Sequence, residues 1–102
     1  MEKFYKMAEG ANKRFPEGND PFKMVSFLLE ECGEVAAEVN HFEGTGIKRQ
    51  KHGEPSKEKL ANELRQAMVA LFKIAAYYSV EDELEASIEK SLQGLKNEGW
   101  IE

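Results

Sequence analysis

Cysteine is almost absent from this chain of 102 residues: Cys32 is the only one, so no intramolecular disulfide can form. Nothing in that usage calls for an oxidising compartment, and a reducing, cytoplasmic setting is expected. Long apolar runs are also missing. The longest, around Ala67 to Tyr78, is broken by Lys73 and falls short of the roughly 18 residues that suggest a membrane span. The first ten residues, MEKFYKMAEG, carry no apolar stretch of signal-peptide type, so no membrane partner is expected. Basic charge is in deficit, with 14 Lys and Arg against 19 Asp and Glu and a net charge of −5. That balance argues against a protein built to neutralise the many phosphates of a nucleic acid polymer. Strand-like alternation, internal repeats and low-complexity segments are lacking as well.

What is present is the composition of a folding, soluble chain, 41% apolar and 32% charged. Its length suits a single domain, residues 1–102, near the size at which one chain buries only part of its apolar surface and sharing a core with a partner becomes plausible. Four segments have helical periodicity, predicting an all-α fold. In the first, Phe4, Ala8, Ala11 and Phe15 share one side, and the helix should stop before Pro16. The second should start with Asp20 as cap and Pro21 in its first turn, ending near Phe42 with Gly44 just beyond. The third should follow Pro55 with Ser56 as cap and run to about Tyr78. The fourth should be capped by Ser79, with Asp82 three residues on, and carry Leu84, Ile88, Leu92 and Leu95 before stopping at Gly99. Trp100 and Ile101 are then expected to pack as a tail.

Acidic residues stand on the wrong faces of two of these helices. At about 100° per residue, Glu31, Glu34 and Glu38 fall within a sector about 60° wide on the second helix, among Met24, Phe27, Val35 and Phe42. Leu28, Cys32 and Val39 continue that apolar stripe, placing Cys32 as a small core residue, while Glu30 projects toward the rim. On the third helix Glu63 lies among Ala67, Ala70 and Ile74, with Gln66 one turn along. Burying unpaired carboxylates costs several kcal/mol each unless they are protonated, paired or metal-bound. Mg²⁺ takes oxygen ligands, keeps positions for water and phosphates, and suits carboxylates at i, i+3 on two facing helices. The chemistry suggested is hydrolysis of a phosphorylated substrate. Solvation of these acids, or pairing with Lys23, Lys59 or Lys73, satisfies the periodicity equally well.

The stretch LLEECGEVAAEV resembles the first motif, EExxE, of the MazG-like all-α nucleotide pyrophosphohydrolases, with Glu30, Glu31 and Glu34 in the acidic positions. The family's second motif, ExxD, corresponds to Glu63, Leu64, Arg65 and Gln66 in KLANELRQAMVALF, and the likeness covers roughly Pro21 to Tyr78. The resemblance implies a four-helix, bundle-like fold that forms a dimer or tetramer, with the site near the subunit interface. It also implies Mg²⁺ or Mn²⁺ as cofactor and cleavage of nucleoside triphosphates to a monophosphate and pyrophosphate, including noncanonical nucleotides. It carries catalytic roles to Glu30, Glu31, Glu34 and Glu63, and metal ligation to Glu31, Glu34, Glu63 and Gln66. Gln66 stands where the family has Asp. Its carbonyl oxygen can still face a hard cation, at the loss of one negative charge. Glu38 or Asp82 could replace that charge in space.

The connection EGTGIKRQKHGEP offers Lys48, Arg49 and Lys51 as phosphate contacts, although a basic glycine-containing loop is commonly just solvated. His41 and His52 have no partner at catalytic spacing and are given structural or surface roles. Trp100 could stack on a base, with packing as the plainer role. Phosphoribosyl-ATP pyrophosphohydrolases are a related class whose characteristic sequence around the second motif is not found here. The reading from another class is a catalytically impaired helical oligomer that binds nucleotide or a protein partner, and Gln66 is the residue that supports it.

Overall fold

The computed structural model of the protein describes residues 1–45 and 53–102. Its helices are α1 (Glu2–Arg14), α2 (Pro21–Glu43), α3 (Lys57–Tyr77) and α4 (Glu81–Asn97), with a 3₁₀ turn at Pro16–Gly18. No strand occurs among the described residues, and the fold is all-α as the periodicity predicts.

Two of the predicted starts are built as expected. The Asp20 side chain accepts from the backbone N–H groups of Phe22 and Lys23, both at 3.0 Å, and Pro21 opens α2 where no N–H is needed. The Ser56 hydroxyl accepts from the Lys59 N–H at 3.2 Å to start α3. Gly44 closes α2 in the left-handed conformation at φ 71°.

The third predicted cap fails. Ser79 does not cap α4, whose first flanking residue is Val80 with no side-chain cap. Instead Ser79 adopts φ 55°, its N–H bonds to the Ala76 carbonyl, and the Val80 N–H bonds to the Ala75 carbonyl. This is a Schellman closure of α3, in a position usually given to glycine. Ser79 is committed to ending one helix and cannot start the next.

Helices α2 and α3 pair in opposite directions: His41 meets Gly53, Glu31 meets Gln66, and Phe27 meets Lys73. Helix α1 packs on α3 through Phe72, which stacks on Phe4 at 5.0 Å and meets the edge of Tyr5 at 4.8 Å. Ala8, Met24, Val69, Ala70 and Ala75 complete a small core. Helix α4 contacts α3 yet buries none of its residues, leaving Ile88, Leu92 and Leu95 exposed. The radius of gyration, 16.6 Å, exceeds the roughly 13 Å of a compact chain of about this length, and the molecule is flat, 44 × 44 × 21 Å.

The core-facing side of α2 is narrower than expected. Met24, Glu31, Glu38 and His41 are buried, whereas Val25, Leu29, Cys32 and Val39 form a second stripe at heptad-like spacing that faces outward. Cys32 is therefore exposed and not a core residue, because it lies a quarter-turn round from Glu31. Trp100 is also exposed, at 74%, instead of packing as a tail, since no element of the single chain reaches it.

Candidate functional site

The site begins with one cross-helix pair. Capping at Asp20 and Ser56 sets where α2 and α3 start, and their opposed packing brings Glu31 against Glu63. Glu31 is only 8% exposed. Burial pushes its carboxyl above the ordinary range, and the charge of Glu63, a hydrogen bond with Glu63, and the charges of Glu34 and Glu30 push it the same way. Among the described residues, none of Lys23, Lys59 and Lys73 makes an ion pair with these acids. Lysine pairing is thus not how this arrangement relieves the crowding.

Gln66 supplies part of the relief. In the orientation its hydrogen-bond network favours, the amide nitrogen donates to both carboxylate oxygens of Glu31, at 3.2 and 2.8 Å. Its carbonyl oxygen accepts from the Asn62 amide at 3.0 Å. A neutral donor thus stands beside Glu31, where an aspartate would add a further negative charge.

The other expected residues divide. Glu34 is exposed one turn along α2, and Glu30 is exposed at the edge of a neighbouring cleft. Glu38 is buried at 3% exposure, but its neighbour is His41, with Nδ1 at 3.8 Å, while His41 Nε2 bonds to the Gly53 carbonyl at 2.6 Å. The structural role assigned to His41 is realised as a tie between the end of α2 and the segment leading into α3. Asp82 lies in the first turn of α4, where with Glu81 and Glu85 it adds to the burial that raises the Tyr5 hydroxyl, and it takes no part in the acid pair. Lys48, Arg49, Lys51 and His52 lie outside the described residues.

No family model matches the chain, and no curated protein or solved structure matches it either. The site is therefore judged on its own chemistry. Hard oxygen donors crowded by like charge suit a divalent cation, and the Glu31–Glu63 pair has that character. Among the described residues, no three His, Cys, Asp or Glu side chains converge as a metal-binding group. The pair itself offers two carboxylates, and turning the Gln66 amide over would bring its oxygen toward Glu31.

Beside Gln66 opens a cleft of about 850 Å³ between α1, the 3₁₀ turn, α2 and α3. Phe15, Phe22 and Phe27 give it an apolar wall, and Lys73 lies inside it. Glu63, with Glu38 and Asn62, borders a separate, smaller hollow. Neither the cleft nor Asn62 carries a signal in the sequence. Lys73 showed itself only as the charge interrupting the most apolar run of the chain.

Proposed function

We propose that the protein is a metal-dependent nucleotide pyrophosphohydrolase of MazG-like type, converting nucleoside triphosphates to monophosphate and pyrophosphate. The observation that supports this reading is the cross-helix Glu31–Glu63 pair, buried enough to raise the Glu31 carboxyl and set by the two motifs the sequence resembles.

Glu31 and Glu63 would hold Mg²⁺ or Mn²⁺ from the two helices, with Glu34 reaching in from the next turn of α2. When bound, such an ion neutralises phosphate charge and lowers the pKa of its water. Gln66 keeps the ionised Glu31 oriented by donating to it, and its carbonyl is available to a cation if the amide turns over. Glu30, at the edge of the cleft, would receive a proton from water near the pair. Lys48, Arg49 and Lys51 would steady the phosphates.

Self-association belongs to the same reading. The outward stripe Val25, Leu29, Cys32 and Val39, together with the uncovered apolar side of α4, is what a second copy of the chain would bury. The test is a coupled pyrophosphate assay over canonical and modified triphosphates at millimolar Mn²⁺. Release of pyrophosphate that Glu63→Ala abolishes supports the enzyme.

The second reading, an impaired nucleotide-binding oligomer, is favoured by the Gln66 amide occupying Glu31. Nucleotide binding with no pyrophosphate release, from either the wild type or Gln66→Asp, would establish it.

A further inference from the structure

Lys73 is 9% exposed, and among the described residues its ammonium has neither a carboxylate partner nor a hydrogen bond. Its Nζ stands 5.8 Å from the centroid of the Phe27 ring and approaches Gly18 across the cleft. A buried ammonium with no acceptor is costly, and an exposed position would relieve it at once. Exposed Arg14, Glu17, Lys23, Glu30 and Arg65 border the cleft, and Lys73 is the buried charge set against its aromatic wall; a fixed polar group in an apolar setting is how proteins orient a flat ligand.

The wall is equally specific. Phe22 is 83% exposed at the opening, and Phe27 lies beneath the Lys73 ammonium. Seven residues of helix separate Lys73 from Gln66, about 10 Å at 1.5 Å per residue. A ring held at Lys73 therefore sits about 10 Å along the same face of α3 from Gln66, whose amide contacts Glu31, with Glu63 nearly one turn further on.

We propose that this cleft is the base subsite, and that Lys73 is a specificity residue donating a hydrogen bond to a ring carbonyl of the base, favouring keto bases over amino bases. The proposal rests on the nucleotide reading for its ligand class. Ammonium offers donors only, so it matches the O4 of uracil or the O6 of guanine and opposes the amino groups of cytosine or adenine. The mismatched base leaves both donors facing each other, which is how a polar pocket rejects an analogue.

The experiment is calorimetric binding of UMP, CMP, GMP and AMP in EDTA, where no turnover contributes. UMP should bind about tenfold more tightly than CMP, and GMP than AMP, as the loss of one well-made hydrogen bond implies. Lys73→Met should erase both preferences while raising the melting temperature, because it removes a buried charge and keeps the volume. A purely structural lysine would instead lose stability when replaced. Equal affinity for UMP and CMP in the wild type, survival of the preference in Lys73→Met, or no binding of any monophosphate at millimolar concentration would each overturn the assignment. A protein that shows the preference but hydrolyses no triphosphate retains the subsite and loses only the enzymatic reading.

Discussion

Gln66 donates its amide nitrogen to both oxygens of the Glu31 carboxylate across the α2–α3 interface, at 3.2 and 2.8 Å. The contact places a neutral hydrogen-bond donor where like charge is already concentrated. Under the proposed function, this contact would favour stability without metal at the expense of metal binding.

Gln66→Asp should therefore lower stability in EDTA by about 1–3 kcal/mol, since it removes the donor and adds a repelling charge next to Glu31. In a domain of this size that is a drop of several degrees in melting temperature. Millimolar Mn²⁺ should then raise the melting temperature of Gln66→Asp by more than it raises the wild type. Thermal melts of both proteins, with and without the ion, give the comparison. An equal response in the two would disconnect residue 66 from the cation.

The Glu31 carboxyl, raised above its ordinary value of 4.5 by burial and then by Glu63, binds its proton more tightly folded than unfolded. Its favourable contribution is therefore present at low pH and declines as the pH rises from 4.5 through the raised value. Glu31→Gln should melt close to the wild type at pH 4.5 and above it at pH 7.5, other carboxylates cancelling in the difference. A difference that stays constant across that range would show that Glu31 does not titrate as described.

Ser79 holds φ 55° at the end of α3, a conformation that is strained for a residue with a Cβ. Ser79→Gly should stabilise the protein by about 1 kcal/mol, and Ser79→Val should destabilise it by more. Denaturant unfolding measures both, and a stabilising Val would contradict the Schellman closure.

The outward stripe of α2 predicts association. Sedimentation equilibrium should find at least a dimer for the wild type at micromolar concentration, and Leu29→Glu, at a position 68% exposed in the single chain, should shift it toward monomer. A monomeric wild type leaves the stripe without the role given to it.

The local signals in the sequence were strong where one residue type had one use. Asp20 with Pro21, Ser56 after Pro55, and Gly44 each mark a helix end for a reason internal to a few residues, and each lies where expected. Ser79 is ambiguous in the sequence because serine serves both as a cap and, less often, as a left-handed terminator, and only the helix before it decides which. Projection about single helices brought Glu31 and Glu63 to inner faces, but it could not provide the register between helices, so the Gln66–Glu31 contact was not legible. Nor could it divide one broad apolar face into an inner side at Met24 and an outer side at Cys32. Lys73 was visible as a charge in an apolar run, and its burial follows only from where α1, the 3₁₀ turn and α2 close around it.

The Glu31–Glu63 pair is proposed to support cleavage of a triphosphate between its α and β phosphates. Phosphorus NMR of the products formed from a panel of nucleoside triphosphates at millimolar Mn²⁺ tests it most directly. Nucleoside monophosphate and pyrophosphate should form in equal amounts from the wild type, with Glu31→Gln and Glu63→Gln each slowed on the order of a hundredfold or more. Orthophosphate and nucleoside diphosphate as the products, or an unchanged rate in Glu63→Gln, would contradict it.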